Sequence, residues 1–292
     1  MATVVIVGCG DIGQRVARLY QKRGVKLLGV VRSDNSARKL RNLGIESMSL
    51  DLDVNGPGDG LPTADSTIHY YAPPPREGRG DPRLERFLAG IDPAKRPKRI
   101  VYISTSAVYG HCDGDWVDED RAPSPDTDRG RRRLAAEQIL TEWCTRNDVE
   151  YVILRVPGIY GPGRLPVKRL KSGAPIVDEN ESSYTNRIHA DDLAQICFAA
   201  ADKAPSGRVY NVSDGHPTTM SDYFLRVADL LGLEPPPTIS LDEAQEVLSP
   251  AMLSFLNESK RLENKRMVKE LKVKLKYPTL RDGLPACLND SE

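Results

Sequence analysis

Apolar residues fall along the first half of the chain in two alternating periods. TVVIV (3–7), KLLGVV (26–31), ESMSL (46–50), STIHYYA (66–72), RIVYIST (99–105) and EYVILRV (150–156) are short runs rich in β-branched and aromatic residues, and they predict six strands. Between them the apolar spacing changes to three and four. DIGQRVARLYQKRG (11–24) carries Ile12, Val16, Leu19 and Tyr20 on one face and stops at Gly24. SARKLRNLG (36–44) is a shorter helix ending at Gly44, and DPRLERFLAGI (81–91) has proline in its first turn. A further helix runs from DTDRGRRRLAAEQIL to about Arg146, behind four arginines packed into residues 129–133. Strand–helix alternation predicts an α/β fold with a doubly wound parallel sheet, covered on both faces through right-handed crossovers.

The pattern breaks after Val156, where proline and glycine become frequent (PGIYGPGRLP). The helix ADDLAQICFAAAD (190–202) and the strand RVYNV (208–212) look like returns to the first unit. The expected division is therefore 1–159 plus 187–212 for the large domain, with 160–186 plus 213–292 as a smaller lobe over its edge. Ser240 and Glu243 have the spacing of a capping box in that lobe.

Composition narrows this picture. Forty-one basic residues balance forty-one acidic ones, so net charge gives no reason to expect nucleic acid. No apolar run approaches a membrane span, and the amino-terminal segment lacks the basic region and cleavage site of a signal peptide. The five cysteines are scattered without a CxxC pair, and the four histidines add no metal-ligand spacing. They read as reduced core thiols of a cytoplasmic protein, with Cys9 and Cys112 the two whose surroundings could make them reactive.

VVIVGCGDIG brings the first chemistry. Gly8, Gly10 and Gly13 form a GxGxxG with a strand before it and a helix after it, and Asp11 and Ile12 lie inside the turn. In that context the motif predicts a dinucleotide-binding loop. Gly8 permits the tight turn, Gly10 lets the backbone approach a pyrophosphate, and Gly13 lets the helix pack close to the sheet. At the end of the second strand, where an NAD binder usually has an acid, VVRSD places Arg32, which suits a 2′-phosphate. Asp34 two residues on weighs the other way. The expected cofactor is NADP, with NAD as the alternative.

STSAVYG (104–110), RVPGIYGPG (155–163), NRIHADD (186–192), RVYNVSDG (208–215) and the tail SKRLENKRMVKELKVKLKYPTLRDGL (259–284) together resemble the extended short-chain dehydrogenase/reductases, the NAD(P)-dependent epimerase/dehydratase group. The resemblance covers nearly the whole chain. It implies a Ser/Thr after the fifth strand working with a Tyr-x-x-x-Lys on the next helix as acid–base machinery beside a hydride carrier. Thr105 occupies the Ser/Thr position. RLAAE matches the family's Lys-Leu-x-x-Glu, so Arg133 stands at the lysine and Arg129 at the tyrosine. Arginine stays protonated, so Arg129 is a poor general acid or base, whereas Arg133 can still donate to a ribose or an anionic group. Val7 also departs from the family's first glycine. Both departures resemble the family's atypical branch, which lacks the pair.

Tyr109, Tyr160 and Tyr184 are candidates for the missing proton donor, with Tyr109 first by its closeness to Thr105. Each also suits packing, as do His111 and His189. By the same resemblance Asp51 and Leu52 follow the third strand at the adenine, Tyr71 and Ala72 follow the fourth beside the phosphates, and Pro157 and Ile159 lie near the nicotinamide. Residues 258–276, with eight Lys or Arg against three Asp or Glu, read as a solvated closing helix. The resemblance further implies a small polar carbonyl or sugar-like substrate, nucleotide sugars included, and a homodimer through the helices at 81–91 and 131–146. Leu84, Phe87, Leu88, Leu134, Ile139 and Trp143 suit that face, or equally a core against the sheet. The rival reading, favoured by the missing tyrosine, is a non-catalytic NADP(H)-binding sensor.

Overall fold

In the computed structural model, which describes residues 3–58 and 60–288, seven strands form one parallel sheet. They are β1 (Val4–Val7), β2 (Leu27–Val31), β3 (Ser47–Ser49), β4 (Thr67–Tyr70), β5 (Arg99–Thr105), β6 (Glu150–Val156) and β7 (Arg208–Asn211). The spatial order is 3-2-1-4-5-6-7, every neighbouring pair parallel. This is the doubly wound arrangement the alternation predicts, and its strand order reverses between β1 and β4.

The sheet is buried on both faces, which is why its strands read as continuous apolar runs. In β1, Val4 and Ile6 face one core with Val16, Ala17, Leu193 and Cys197, while Val5 and Val7 face the other with Leu84, Phe87 and Leu140. Helices α1 (Asp11–Lys22) and α6 (Ala190–Lys203) cover the first face. Helix α2 (Asp34–Asn42), on the β2–β3 crossover, adds Leu40 to that same core, and helices α3 (Pro82–Ala89) and α4 (Asp128–Asn147) cover the second face. Leu84, Phe87 and Leu88 are therefore core residues; Leu134, Ile139 and Trp143 are partly buried. The helix starts are chemically marked. Ser33, Asp81 and Thr127 accept from the backbone N–H three residues on, the N-cap bond that satisfies a donor the helix leaves free.

Beyond β6 come shorter elements: α5 (Val167–Lys171), α7 (Met220–Leu230), α8 (Leu241–Val247), α9 (Pro250–Leu256), α10 (Lys265–Leu271) and α11 (Leu280–Gly283), with four two-strand pairings. Their apolar centre is separate, built from Tyr160, Leu170, Tyr223, Phe224 and Leu280 among others. The Ser240–Glu243 capping box is present in both directions. Asp192 is buried and accepts from the backbone N–H groups of Lys276 and Tyr277, tying the closing segment to α6.

The closing segment departs from the solvated helix expected for residues 258–276. Arg261–Leu262 is a strand beside Trp116–Val117, and α10 covers only seven residues, with Met267 and Leu271 buried. Lys260 is buried because Gly110 and Glu258, distant or adjacent in sequence, supply its acceptors. All five cysteines are free and buried, and burial pushes the Cys9 thiol up to about 12 and raises that of Cys112, so neither is an activated nucleophile. No helix among the described residues is long and apolar enough to cross a membrane.

Candidate functional site

Two cavities open where the strands end at their carboxyl edges, one spanning the point where strand order reverses and one further along the same edge. The first, of about 260 Å³, lies over β1, β2, β3 and β4, and Gly8, Arg32, Asp51, Leu52, Ala72 and Arg83 are on its walls. The second, of about 140 Å³, lies over β5 and β6, with Thr105, Arg129, Pro157, Arg187, Glu258 and Lys260 on its walls. A crevice at this point is where doubly wound sheets bind ligands.

The glycine loop borders the first cavity. Gly8 has φ +82°, and a β-carbon there would lie 2.5 Å from the Ala72 nitrogen, so the turn admits only glycine. Gly13 packs against Ile6, where a β-carbon would meet Cγ2 at 3.0 Å. Gly10 is the N-cap of α1 and offers no side-chain oxygen to the first helical N–H groups, which leaves those donors for an anion. Asp11 is held by Arg15 at 2.8 Å and by Arg164 at 2.6 Å. Burial pushes its carboxyl up, but these two guanidinium groups outweigh that and hold it below its ordinary value. Ile12 is buried against the sheet core.

Arg32 stands at the rim with 70% of its side chain exposed, 3.3 Å from Asp51 and 3.5 Å from Asp53. Arg83 holds Asp53 from the other side at 2.6 Å. Of the remaining expected cofactor contacts, Tyr71 turns its hydroxyl inward to His69 Nδ1 at 2.7 Å, and Tyr20 meets Nε2 at 2.8 Å. Its ring belongs to that buried network. Ile159 packs against the first core, on a short strand that pairs with Arg187–His189.

In the second cavity Thr105 caps a 3₁₀ turn (Ser106–Tyr109), its Oγ1 accepting from the Ala107 N–H at 3.3 Å. Arg129 donates to Glu258 Oε1 at 3.1 Å and lies over the Phe255 ring at 4.1 Å. Lys260 donates to the other Glu258 oxygen at 3.1 Å and to the Gly110 carbonyl at 2.7 Å. Arg187 stacks on Tyr223 at 4.1 Å, and burial pushes its guanidinium below its ordinary value. Three of these groups, Arg187, Glu258 and Lys260, were not singled out by the sequence reading.

Arg133 lines neither cavity. It donates to the Tyr102 hydroxyl at 3.0 Å and to the Ile103 carbonyl at 2.9 Å, behind the strand that carries Thr105. Tyr109 is corrected outright as the first choice of proton donor. It is 1% exposed, its hydroxyl donates to Asn211 at 2.8 Å, and burial pushes that hydroxyl up to about 12. Tyr160 is buried beside Gly283, so of the three candidate tyrosines Tyr184 is the one on the cleft wall. His111 accepts from the Ser259 N–H, and His189 caps α6; both organise loops.

Asp214 lies behind Arg187 and gives a measurable signature. It is 4% exposed, and burial pushes its carboxyl from 3.8 to about 7 against the lowering pull of the His216 N–H and Arg187. Between those values the folded protein holds a proton that the unfolded chain has lost. The stability this group contributes is full below about pH 4 and is lost as pH rises through about 7. The melting temperature of Asp214→Asn relative to wild type is therefore expected to climb between pH 4 and pH 8. A pH-independent offset would refute this assignment.

Comparison with known proteins bears on the family and the fold. A model of the NAD dependent epimerase/dehydratase family matches residues 88–213, and one of the NAD binding domain of D-isomer specific 2-hydroxyacid dehydrogenases matches residues 1–53. A functionally unknown conserved protein from Silicibacter pomeroyi DSS superposes with a TM-score of 0.83 at 32% identity, covering 100% of both chains. Escherichia coli protein YeeZ is 29% identical over 249 residues, 81% of this chain and 86% of its own. The UDP-glucuronic acid 4-epimerase of Bacillus cereus, solved in complex with NAD, shares the fold with a TM-score of 0.76 at 17% identity, over 97% of this chain and 96% of that one. The chain belongs to the NAD dependent epimerase/dehydratase family, with extended short-chain dehydrogenase/reductase epimerases as its structural neighbours.

Proposed function

We propose that the protein is a cytoplasmic NAD(P)-binding enzyme of the oxidoreductase or epimerase/dehydratase type, acting on a small polar carbonyl or sugar-like substrate, nucleotide sugars among the candidates. One observation carries this: a glycine cradle with open helix donors borders a cavity of a size for an adenosine on the carboxyl edge of the sheet, and a second cavity lined by charged groups lies along the same edge. The residues fit the dinucleotide. Gly8, Gly10, Asp11, Ile12 and Gly13 would hold its pyrophosphate; Asp51 and Leu52 would border its adenine; Tyr71 and Ala72 would lie beside its phosphates; and Pro157 and Ile159 would lie by its nicotinamide. The bound cofactor supplies a hydride. Thr105 orients the substrate oxygen, Arg133 braces the strand that carries Thr105 through the Ile103 carbonyl, and Tyr184 is the hydroxyl in reach of the cleft. The division into a dinucleotide domain and a covering lobe, and membership of the atypical branch without Tyr-x-x-x-Lys, belong to the same reading.

NADP is the preferred form, on the strength of Arg32 exposed at the adenosine rim. Fluorescence titration is expected to give tighter binding of NADPH than of NADH. Arg32→Ala should weaken NADPH roughly ten- to a hundredfold, the range of a charge-assisted contact, with little change for NADH. Equal affinities in the wild type would remove the NADP preference, and binding of neither would remove the cofactor reading.

A second reading is a non-catalytic NADP(H) sensor. Arg129 favours it, because the cation at the expected tyrosine position is already paired with Glu258 and stacked on Phe255. Nicotinamide turnover with a panel of carbonyls and nucleotide sugars separates the two.

A further inference from the structure

The first residue of α1 carries a negative charge at the place where the glycine loop offers its free N–H groups. Asp11 follows Gly10, and its own backbone N–H is one of the donors that would face a pyrophosphate. Its carboxylate works the other way. A carboxylate in the first helical turn takes up the positive end of the helix dipole, so the site already holds an anion of its own. A second anion beside it is repelled unless that carboxylate is matched. Two charges match it: Arg15, four residues along the same helix, at 2.8 Å, and Arg164, from the turn that follows Tyr160, at 2.6 Å.

These two partners differ. Arg15 does not serve Asp11 alone, because its Nη1 also donates to Asp191 in the first turn of α6. Arg164 gives its Nε to Asp11 Oδ2, and its guanidinium makes no other hydrogen bond or ion pair among the described residues. The four groups form a chain of alternating sign, Arg164–Asp11–Arg15–Asp191, in which the charges cancel. Without Arg164, two carboxylates share a single guanidinium, and a negative charge is left over at the start of α1. The fold puts Arg164 there deliberately. Gly161, at φ +151°, lies against the start of α6, where a β-carbon on it would be 3.1 Å from the Ala190 Cβ and 3.6 Å from His189 Nε2. The Arg164 N–H closes the turn on the Gly161 carbonyl at 3.0 Å. Leu165, next along, packs into the separate apolar centre of the elements beyond β6. Arg164 therefore joins that apolar body to the glycine loop of the parallel sheet.

We propose that Arg164 is a latch by which the covering lobe masks the carboxylate of Asp11 and so makes the glycine loop receptive to the pyrophosphate of a dinucleotide. This rests on the dinucleotide reading given above. Arg164 is a positioning residue, acting through Asp11 and not through a contact of its own with the cofactor. Linkage makes the effect reciprocal: the bound dinucleotide favours the closed latch by the same factor as the latch favours the dinucleotide.

The test uses the full chain at low ionic strength. NADPH and NADH are titrated separately, by fluorescence, into wild type, Arg164→Gln, Asp11→Asn and the double variant. Arg164→Gln is expected to weaken each nucleotide that the wild type binds by the same factor, about five- to tenfold, because the pyrophosphate is common to both. In the Asp11→Asn background the same change should have no effect, since no carboxylate is left to mask. The factor should shrink at high salt, because the side chains of Arg164 and Asp11 are 32% and 38% exposed. The melting temperature of unliganded Arg164→Gln should hold, as a pair this exposed contributes little to folding. Equal affinities of wild type and Arg164→Gln would overturn the proposal. So would an equal loss in both backgrounds, which would put Arg164 directly on a phosphate, and so would a sharply lower melting temperature, which would make the arginine a prop of the fold. All three results leave the cofactor reading standing. That reading is refuted by a wild type that binds neither nucleotide, and the latch falls with it.

Discussion

Glu137→Ala is expected to lose about 3–5 kcal/mol of stability, the cost of leaving one member of a buried ion pair without the other. Glu137 and Arg155 are both 6% exposed at their side chains, with Nη2 2.7 Å from Oε2 and Nε 3.1 Å from Oε1. Ser104 donates to the same carboxylate. The pair thus clamps α4 to β5 and β6 directly beneath Thr105. Arg155 already has one nitrogen, Nη1, without a partner, so removing the carboxylate strands a whole charge in a dry place. For a chain of this size the melting temperature should fall by roughly 10 °C. Replacing both residues by methionine should recover most of the loss, because the desolvation penalty of the surviving arginine disappears with it. Thermal and urea denaturation of the single and double variants decide this. A single-variant cost under about 1 kcal/mol would mean that the pair is solvated in solution.

This pair also shows what the sequence could and could not reveal. RLAAE marks α4 as a functional helix, but nothing local says that Glu137 turns inward to Arg155. The strands and helices were legible because their signals are local: periods of two and of three to four, proline at a helix start, glycine at its end. The glycine loop was legible because its constraint is steric and lies within six residues. Tyr109 was misread because closeness in sequence was taken for closeness to the cleft. The 3₁₀ turn from Ser106 to Tyr109 instead carries its ring inward, over which Arg155 stacks at 4.8 Å. Lys260 looked solvated among eight like charges, and only partners brought by the fold, Gly110 and Glu258, make it a buried group. Arg187 was hidden inside NRIHADD. Its signal is the glycine at 158, and that becomes readable only once the register pairs the two residues.

Gly10→Ala is expected to leave the fold intact and weaken NADPH binding at least tenfold. The other glycines of the loop cannot make this separation. At Gly8 a β-carbon would collide with the Tyr71–Ala72 peptide, its nitrogen at 2.5 Å and its carbonyl carbon at 2.8 Å, so substitution there damages fold and loop together. At Gly13 it would press on Ile6 and Cys9, at 3.0 and 3.3 Å. Gly10 is different. Its φ of −79° is ordinary for any residue, and the nearest atom to an added β-carbon is the Gly8 carbonyl oxygen at 4.0 Å. Alanine is a better chain residue than glycine wherever the backbone allows it, so stability should hold or rise by a few tenths of a kcal/mol. Nothing within the protein therefore requires glycine here, and the requirement, if it exists, is the ligand's: a methyl over the first turn of α1 occupies the approach of a pyrophosphate to the N–H groups that the helix leaves free. Melting temperature and NADPH titration of the one variant separate the two effects. Unchanged affinity would mean that no phosphate lies against Gly10, and the dinucleotide reading of the cradle would fail with it.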